Sequence, residues 1–243
     1  MPRNKQSIVE RVTQGFGDVI GEFESRVLPI PFLPRGILTS EAFAVCAAAR
    51  LLGVSAIIET GVYEGRSSLF WRRWFNPAWS IDNSWRADCT ERIKNTHITM
   101  IDGYAEHELV PLVASVGNVC VFIDGPKGQS AIDLAQRCLS HRNVAFVAIH
   151  DMHRDEVTGD TLNEARLALA ATPLWPTWFT DNQQFVDHFA YLDYDYIGRL
   201  DEHQNLRWFP GCYRNADGLR VRHLGSYGPT VGFLFHDEWG TDE

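Results

Sequence analysis

No stretch of this chain approaches the roughly 20 consecutive apolar residues of a membrane-spanning helix, so no membrane span is expected. The amino terminus, Met1-Pro-Arg-Asn-Lys-Gln6, leads into no continuous apolar run, so no signal peptide is expected and the reading is cytoplasmic. Cationic side chains are the scarcer charge: 22 Lys and Arg stand against 31 Asp and Glu, a formal net charge of −9. That balance argues against a general nucleic-acid binder, which needs a basic footprint to release counterions. Cysteine is sparse as well. Cys46, Cys89, Cys120, Cys138 and Cys212 form no Cys-x-x-Cys pair and no zinc-like spacing. Five scattered thiols exclude a disulfide framework and fit a reducing compartment. Cys46, Cys120 and Cys138 lie in apolar surroundings, where free cysteine behaves as a small hydrophobe. Internal repeats, low-complexity segments and the dinucleotide fingerprint Gly-x-Gly-x-x-Gly are all missing.

What remains is an ordinary globular balance: 243 residues, 45% hydrophobic and 12% aromatic, enough for one α/β domain that buries its own core. Residues 7–27 carry Ile8, Val12, Phe16, Ile20, Phe23 and Val27 at helical spacing, an amphipathic helix that could serve a homo-oligomer. A proline-rich connector, 28–36, precedes an Ala-rich helix that Thr39 or Ser40 caps, with Glu41 in its first turn and Gly53 ending it. From there short apolar runs alternate with helical stretches. Strands are expected at 55–60, 78–82, 97–101, 119–123 and 144–149. Helices are expected near 67–75, 90–94, 106–116, 130–141 and 161–171. This rhythm predicts parallel strands joined by crossovers, a Rossmann-like doubly wound sheet. Residues 1–53 read as a helical extension and 54–243 as the α/β domain, with the aromatic-rich 172–229 as a substrate cover and 230–235 as a closing strand.

In such sheets ligands bind beyond the carboxyl ends of the strands. Those ends read Glu59-Thr60-Gly61, Asp82-Asn83, Asp102-Gly103-Tyr104, Asp124-Gly125-Pro126-Lys127 and His150-Asp151-Met152-His153. Gly61 and Gly65 bracket a turn ahead of a helix start, which favours an anionic or strongly polar ligand. Asp82 follows Gly61 by 21 residues, the place of an acid that accepts ribose hydroxyls. Gly125-Pro-Lys-Gly-Gln-Ser130 is not a phosphate-binding Walker loop, and Arg72, Arg73, Arg214, Arg220 and Arg222 read as solvated faces.

Taken jointly, Glu59-x-Gly61-x-x-x-Gly65-x-Ser67, Ile81-Asp82, Ile123-Asp124-Gly125 and Ile149-His150-Asp151 resemble the class I S-adenosylmethionine-dependent methyltransferases. Within these the likeness is to the macrocin-type and catechol-type small-molecule O-methyltransferases, over roughly residues 40–155. The resemblance implies a seven-stranded sheet with a reversed last strand and O-methylation of a small-molecule hydroxyl. It also implies cofactor contacts from Glu59, Thr60, Gly61, Tyr63, Gly65, Ser67, Asp82, Asn83, Gly103, Tyr104 and Asp124, with Trp85 as another adenine neighbour. Tyr104 stands where the family carries an acid. Lys127 or His150 would be the general base beside Asp124. Asp124 and Asp151 could hold a divalent cation such as Mg2+, with His150 and His153 as further donors, although Met152 replaces the family's Asn ligand. Two alternatives stay open: a cofactor-binding Rossmann-like module without turnover, and a different nucleotide-dependent Rossmann enzyme.

Overall fold

The computed structural model describes residues 5–33, 36–150, 176–177, 188–193, 195–196, 199 and 231–236. Two helices come first, α1 (Lys5–Val27) and α2 (Thr39–Leu51). The alternating part follows: β1 (Ile57–Thr60), α3 (Arg66–Trp74), β2 (Ala78–Asp82), α4 (Ala87–Ile93), β3 (Ile98–Asp102), α5 (Ala105–Ser115), β4 (Val119–Ile123), α6 (Gln129–Leu139) and β5 (Val144–Ile149). The two-residue β6 (Pro176–Thr177) and β7 (Gly232–Phe235) complete a sheet of order β3-β2-β1-β4-β5-β7-β6. The strands β1 to β5 pair in parallel, and β7 runs antiparallel to both β5 and β6. This is the expected doubly wound sheet with a reversed closing strand. The expected helix at 161–171 lies outside the described residues, as does most of the stretch 172–229.

The strands are short apolar runs because both faces of the sheet are covered. Every residue of β4 and β5 is buried. Alternation sends Ile57, Cys120, Phe122 and Phe146 toward α1, α2 and α3. It sends Ile58, Val121, Ile123 and Val147 toward α5 and α6. The thiols of Cys46, Cys120 and Cys138 are buried, and burial pushes all three up.

The apolar stripe of α1 consists of Ile8, Val12, Phe16, Val19, Phe23 and Val27, with Val19 in the place expected of Ile20. It packs against α2, α3 and residue 189: the Phe23 ring lies 5.4 Å from Phe43 and 5.5 Å from Phe189. Packing within the chain therefore accounts for the amphipathic pattern that suggested an oligomer element. Arg73, expected on a solvated face, instead donates to the carbonyls of Val27 and Pro29 at the end of α1. A cation there satisfies carbonyls that the helix leaves unpaired.

The cap of α2 departs from the sequence reading. Neither Thr39 nor Ser40 caps the helix with its own side chain. The Thr39 and Ser40 amides donate to Oδ1 of Asp193 at 2.7 and 3.4 Å, and Glu41 Oε2 accepts from the Leu38 amide at 2.7 Å. A carboxylate from 154 residues away thus does what a local hydroxyl was expected to do. Among the described residues no helix is long and apolar enough to cross a membrane.

Candidate functional site

The parallel register brings the strand tips to one level. The Gly61 amide donates to the Ile81 carbonyl (3.0 Å), and Gly103 to Asp82 (3.1 Å). Asp124 and Gly125 both donate to Thr60 (2.9 and 3.1 Å), and His150 to Ile123 (2.9 Å). The chain runs outward from β1 to β3 and returns to β4, so the crevice between β1 and β4 is the topological switch point, where such sheets bind ligands.

Gly61 (φ +77°) turns the chain out of β1, and Gly65 (φ +81°) turns it into α3. Between them Tyr63 takes a positive φ of 50° and is exposed. This strained turn is tied to β2 by Asp82. Its Oδ2 accepts from the Val62 amide at 2.7 Å and the Tyr63 amide at 3.2 Å, and its Oδ1 accepts from Ser84 at 2.7 Å. The Asp82 carboxylate is only partly buried and Asn83 is exposed beside it. Tyr104 is 61% exposed and meets His107 edge-on, so it does not pack into the core. The Trp85 indole is committed to the Ile101 carbonyl at 3.2 Å.

Three of the residues expected at the cofactor, Glu59, Thr60 and Ser67, are buried. Glu59 was expected to hold part of a cofactor, but period-2 alternation turns its side chain down into the interface between the sheet and α3. It is fully buried there and accepts from Ser68 Oγ (2.6 Å), Trp71 Nε1 (2.9 Å) and Ser80 Oγ (3.0 Å). Burial pushes its carboxyl up to about 7, against the pull of those donors. Thr60 and Ser67 are also buried; among the described residues Thr60 Oγ1 has no partner, while the Thr60 carbonyl anchors the β4 corner. The Arg66 side chain is buried, donates to the Ile37 carbonyl at 2.9 Å and lies 3.9 Å from the Tyr196 ring centre.

Asp124, Lys127 and His150 do converge. Asp124 Oδ1 accepts from Lys127 Nζ and lies 2.8 Å from His150 Nδ1. Burial by itself would raise the Asp124 carboxyl. The neighbouring His150 and Lys127 charges outweigh it and hold the group well below the usual carboxylate range. On its other side, His150 Nε2 lies 3.3 Å from Glu41 Oε2. Glu41 escaped the sequence reading as a site residue. Its first-turn position in α2 was visible, but its approach to His150 spans 109 residues. Lys127 is the outermost member at 44% exposed, against 11% for the His150 side chain.

Among the described residues no group of three or more His, Cys, Asp and Glu could hold a metal, and Asp124 Oδ1 faces an ammonium and an imidazole. Asp151 and His153 lie outside the described residues.

Fold and corners together define a Rossmann-like α/β protein with a polar cluster at its switch point. No protein-family model matches the chain, and no curated protein does. Several solved structures are similar to it. One is an O-methyltransferase from Bacillus cereus in complex with SAH, 16% identical, covering 72% of this chain and 84% of that one at a TM-score of 0.44. Another is the O-methyltransferase TomG from Streptomyces achromogenes, involved in tomaymycin synthesis and bound to SAM: 16% identical, 68% and 81% covered, TM-score 0.44. The SAH-bound methyltransferase PaMTH1 from Podospora anserina is 15% identical, with 97% of each chain covered and a TM-score of 0.38.

Proposed function

We propose that this chain is a methyltransferase that uses S-adenosylmethionine to methylate a small-molecule hydroxyl. The observation that carries the reading is the meeting, at one switch point, of a glycine turn, the Asp82 carboxylate and the Asp124–Lys127–His150 cluster. The residues fit the cofactor. A partly exposed acid at the tip of β2 suits a ribose diol, and the Cβ-free turn at Gly61 leaves the crevice floor to backbone. S-adenosylmethionine supplies an electrophilic methyl group when bound.

The protein's own part is mostly alignment. Asp82 accepts the ribose hydroxyls, and Asn83 and Tyr104 flank the base from exposed positions. Lys127, at the mouth of the cluster, meets the substrate hydroxyl; as the neutral amine, its ammonium proton released to solvent, it takes the hydroxyl proton as the oxygen attacks the methyl group. His150 has a carboxylate oxygen opposite each ring nitrogen, so its work is to hold Asp124 rather than to collect that proton. No step here runs through a metal. The net charge of −9 supports a small-molecule partner over nucleic acid, and four buried free cysteines support a reducing, cytoplasmic setting.

The test is calorimetric titration with S-adenosylhomocysteine. Saturable binding by the wild type is the expected result, and no binding overturns the reading.

A further inference from the structure

We infer that Glu41, from the helix α2 ahead of the sheet, is a positioning residue of this site: it fixes the imidazole of His150 from the side opposite Asp124. The inference rests on the functional reading above and goes beyond it in bringing a residue of the amino-terminal helices into the transfer machinery.

The geometry carries it. One oxygen, Glu41 Oε2, meets both the Leu38 amide (2.7 Å) and His150 Nε2 (3.3 Å). The opposite ring nitrogen, Nδ1, lies 2.8 Å from Asp124 Oδ1. The ring is thereby held at both ends, and its remaining freedom, rotation about the Cβ–Cγ bond, would break both contacts at once. The Glu41 side chain is only 2% exposed, so it touches the ring and not a ligand in the crevice. Its own place is fixed by the start of α2, whose Thr39 amide is bound by the buried Asp193. A chain of contacts thus runs from Asp193 through the helix start and Glu41 to His150, Asp124 and Lys127. Groups that orient a metal ligand from behind are worth about 10- to 100-fold, and a loss of activity of that order is expected for a group that orients a site residue in the same way.

The test uses the full chain in three forms: wild type, Glu41→Ala and Glu41→Gln. Glutamine can place its one acceptor oxygen where Glu41 Oε2 serves both Leu38 and His150, so this variant keeps the helix start and the hold on the ring and is the test of rescue. Protein labelled with 15N-histidine reports the ring of His150, identified among nine histidines by its loss in His150→Gln. The expected result is a changed His150 ring signal in Glu41→Ala that returns toward the wild-type signal in Glu41→Gln. With the member of a phenol and sugar panel that the wild type methylates at saturating S-adenosylmethionine, kcat falls about 10-fold or more in Glu41→Ala and recovers in Glu41→Gln, while affinity for S-adenosylhomocysteine stays near that of wild type. A purely structural role would lower Tm and leave kcat per folded molecule alone; that result overturns the inference, and so does an unchanged His150 spectrum in Glu41→Ala. Wild type that fails to bind S-adenosylhomocysteine sinks the functional reading instead, and the His150 spectrum separates the two failures.

Discussion

A Cβ placed on Gly61 would lie 2.5 Å from the backbone nitrogen of Gly125 and 2.8 Å from the carbonyl carbon of Asp124. The first and fourth strand corners therefore meet through main chain at this point. The same contact sets the distance from the glycine turn to Asp124, and through it to Lys127 and His150.

Gly61→Ala should accordingly be severe. The added methyl meets backbone that cannot step aside, and φ of +77° is strained for alanine. A loss of about 2–4 kcal/mol in urea unfolding is expected, together with loss of S-adenosylhomocysteine binding. Gly17→Ala is the control: in α1 the new Cβ meets nothing within 4 Å, so a gain of about 0.5–1 kcal/mol is expected. A mild Gly61→Ala would mean the two corners are not held in contact.

Asp82→Ala should weaken S-adenosylhomocysteine at least about tenfold by calorimetry, because hydrogen bonds to a charged group contribute roughly 1.5–3 kcal/mol. The substitution also frees the amides of Val62, Tyr63 and Ser84, so Tm should fall as well. Unchanged affinity would remove Asp82 from the ligand.

Stability should fall as pH rises from about 4.5 to about 7. The Glu59 carboxyl is raised from 4.5 to about 7 by burial, so the folded state holds its proton where the unfolded chain has released it. The stabilisation is complete below 4.5, is lost through pH 7 and changes no further above that, an effect of about 3 kcal/mol. Asp193, likewise raised to about 7 by burial, adds a slope of the same sign. Urea titrations at pH 5 and pH 8 should show Glu59→Gln with a shallower dependence than wild type, and an identical dependence would mean Glu59 is not buried as described.

Lys127→Ala should lower kcat by about 100-fold or more with the member of a phenol and sugar panel that the wild type methylates, with affinity for S-adenosylhomocysteine little altered, since general-base assistance contributes about 10²–10⁴-fold. Full turnover by the variant would assign the proton to another group.

Much of this fold was legible because it is written locally. The runs Val119–Ile123 and Val144–Ile149 are too short and too apolar for anything but buried strands. Asn76-Pro77 and Gly53 stop their helices where the pattern ends. The acids and glycines at the strand tips showed where a ligand would sit, because parallel register aligns tips whatever the details of packing. Asp124, Lys127 and His150 met as expected for the same reason. The burial of the Glu59 side chain against α3 was not legible, because its place in a motif says nothing about which face of the strand the side chain takes.

The sequence by itself determined the order of strands and helices, the glycine turn and the polar corners, all of which follow from periods of 2 and 3.6 residues and from backbone freedom at glycine. Only the tertiary structure decided that Asp193 caps α2, that Arg66 is buried beside Tyr196, and that Glu41 reaches His150. Those contacts join residues as far as 154 positions apart. Their partners are chosen by how helices pack on the sheet, a property of the assembled core that no local window of sequence contains.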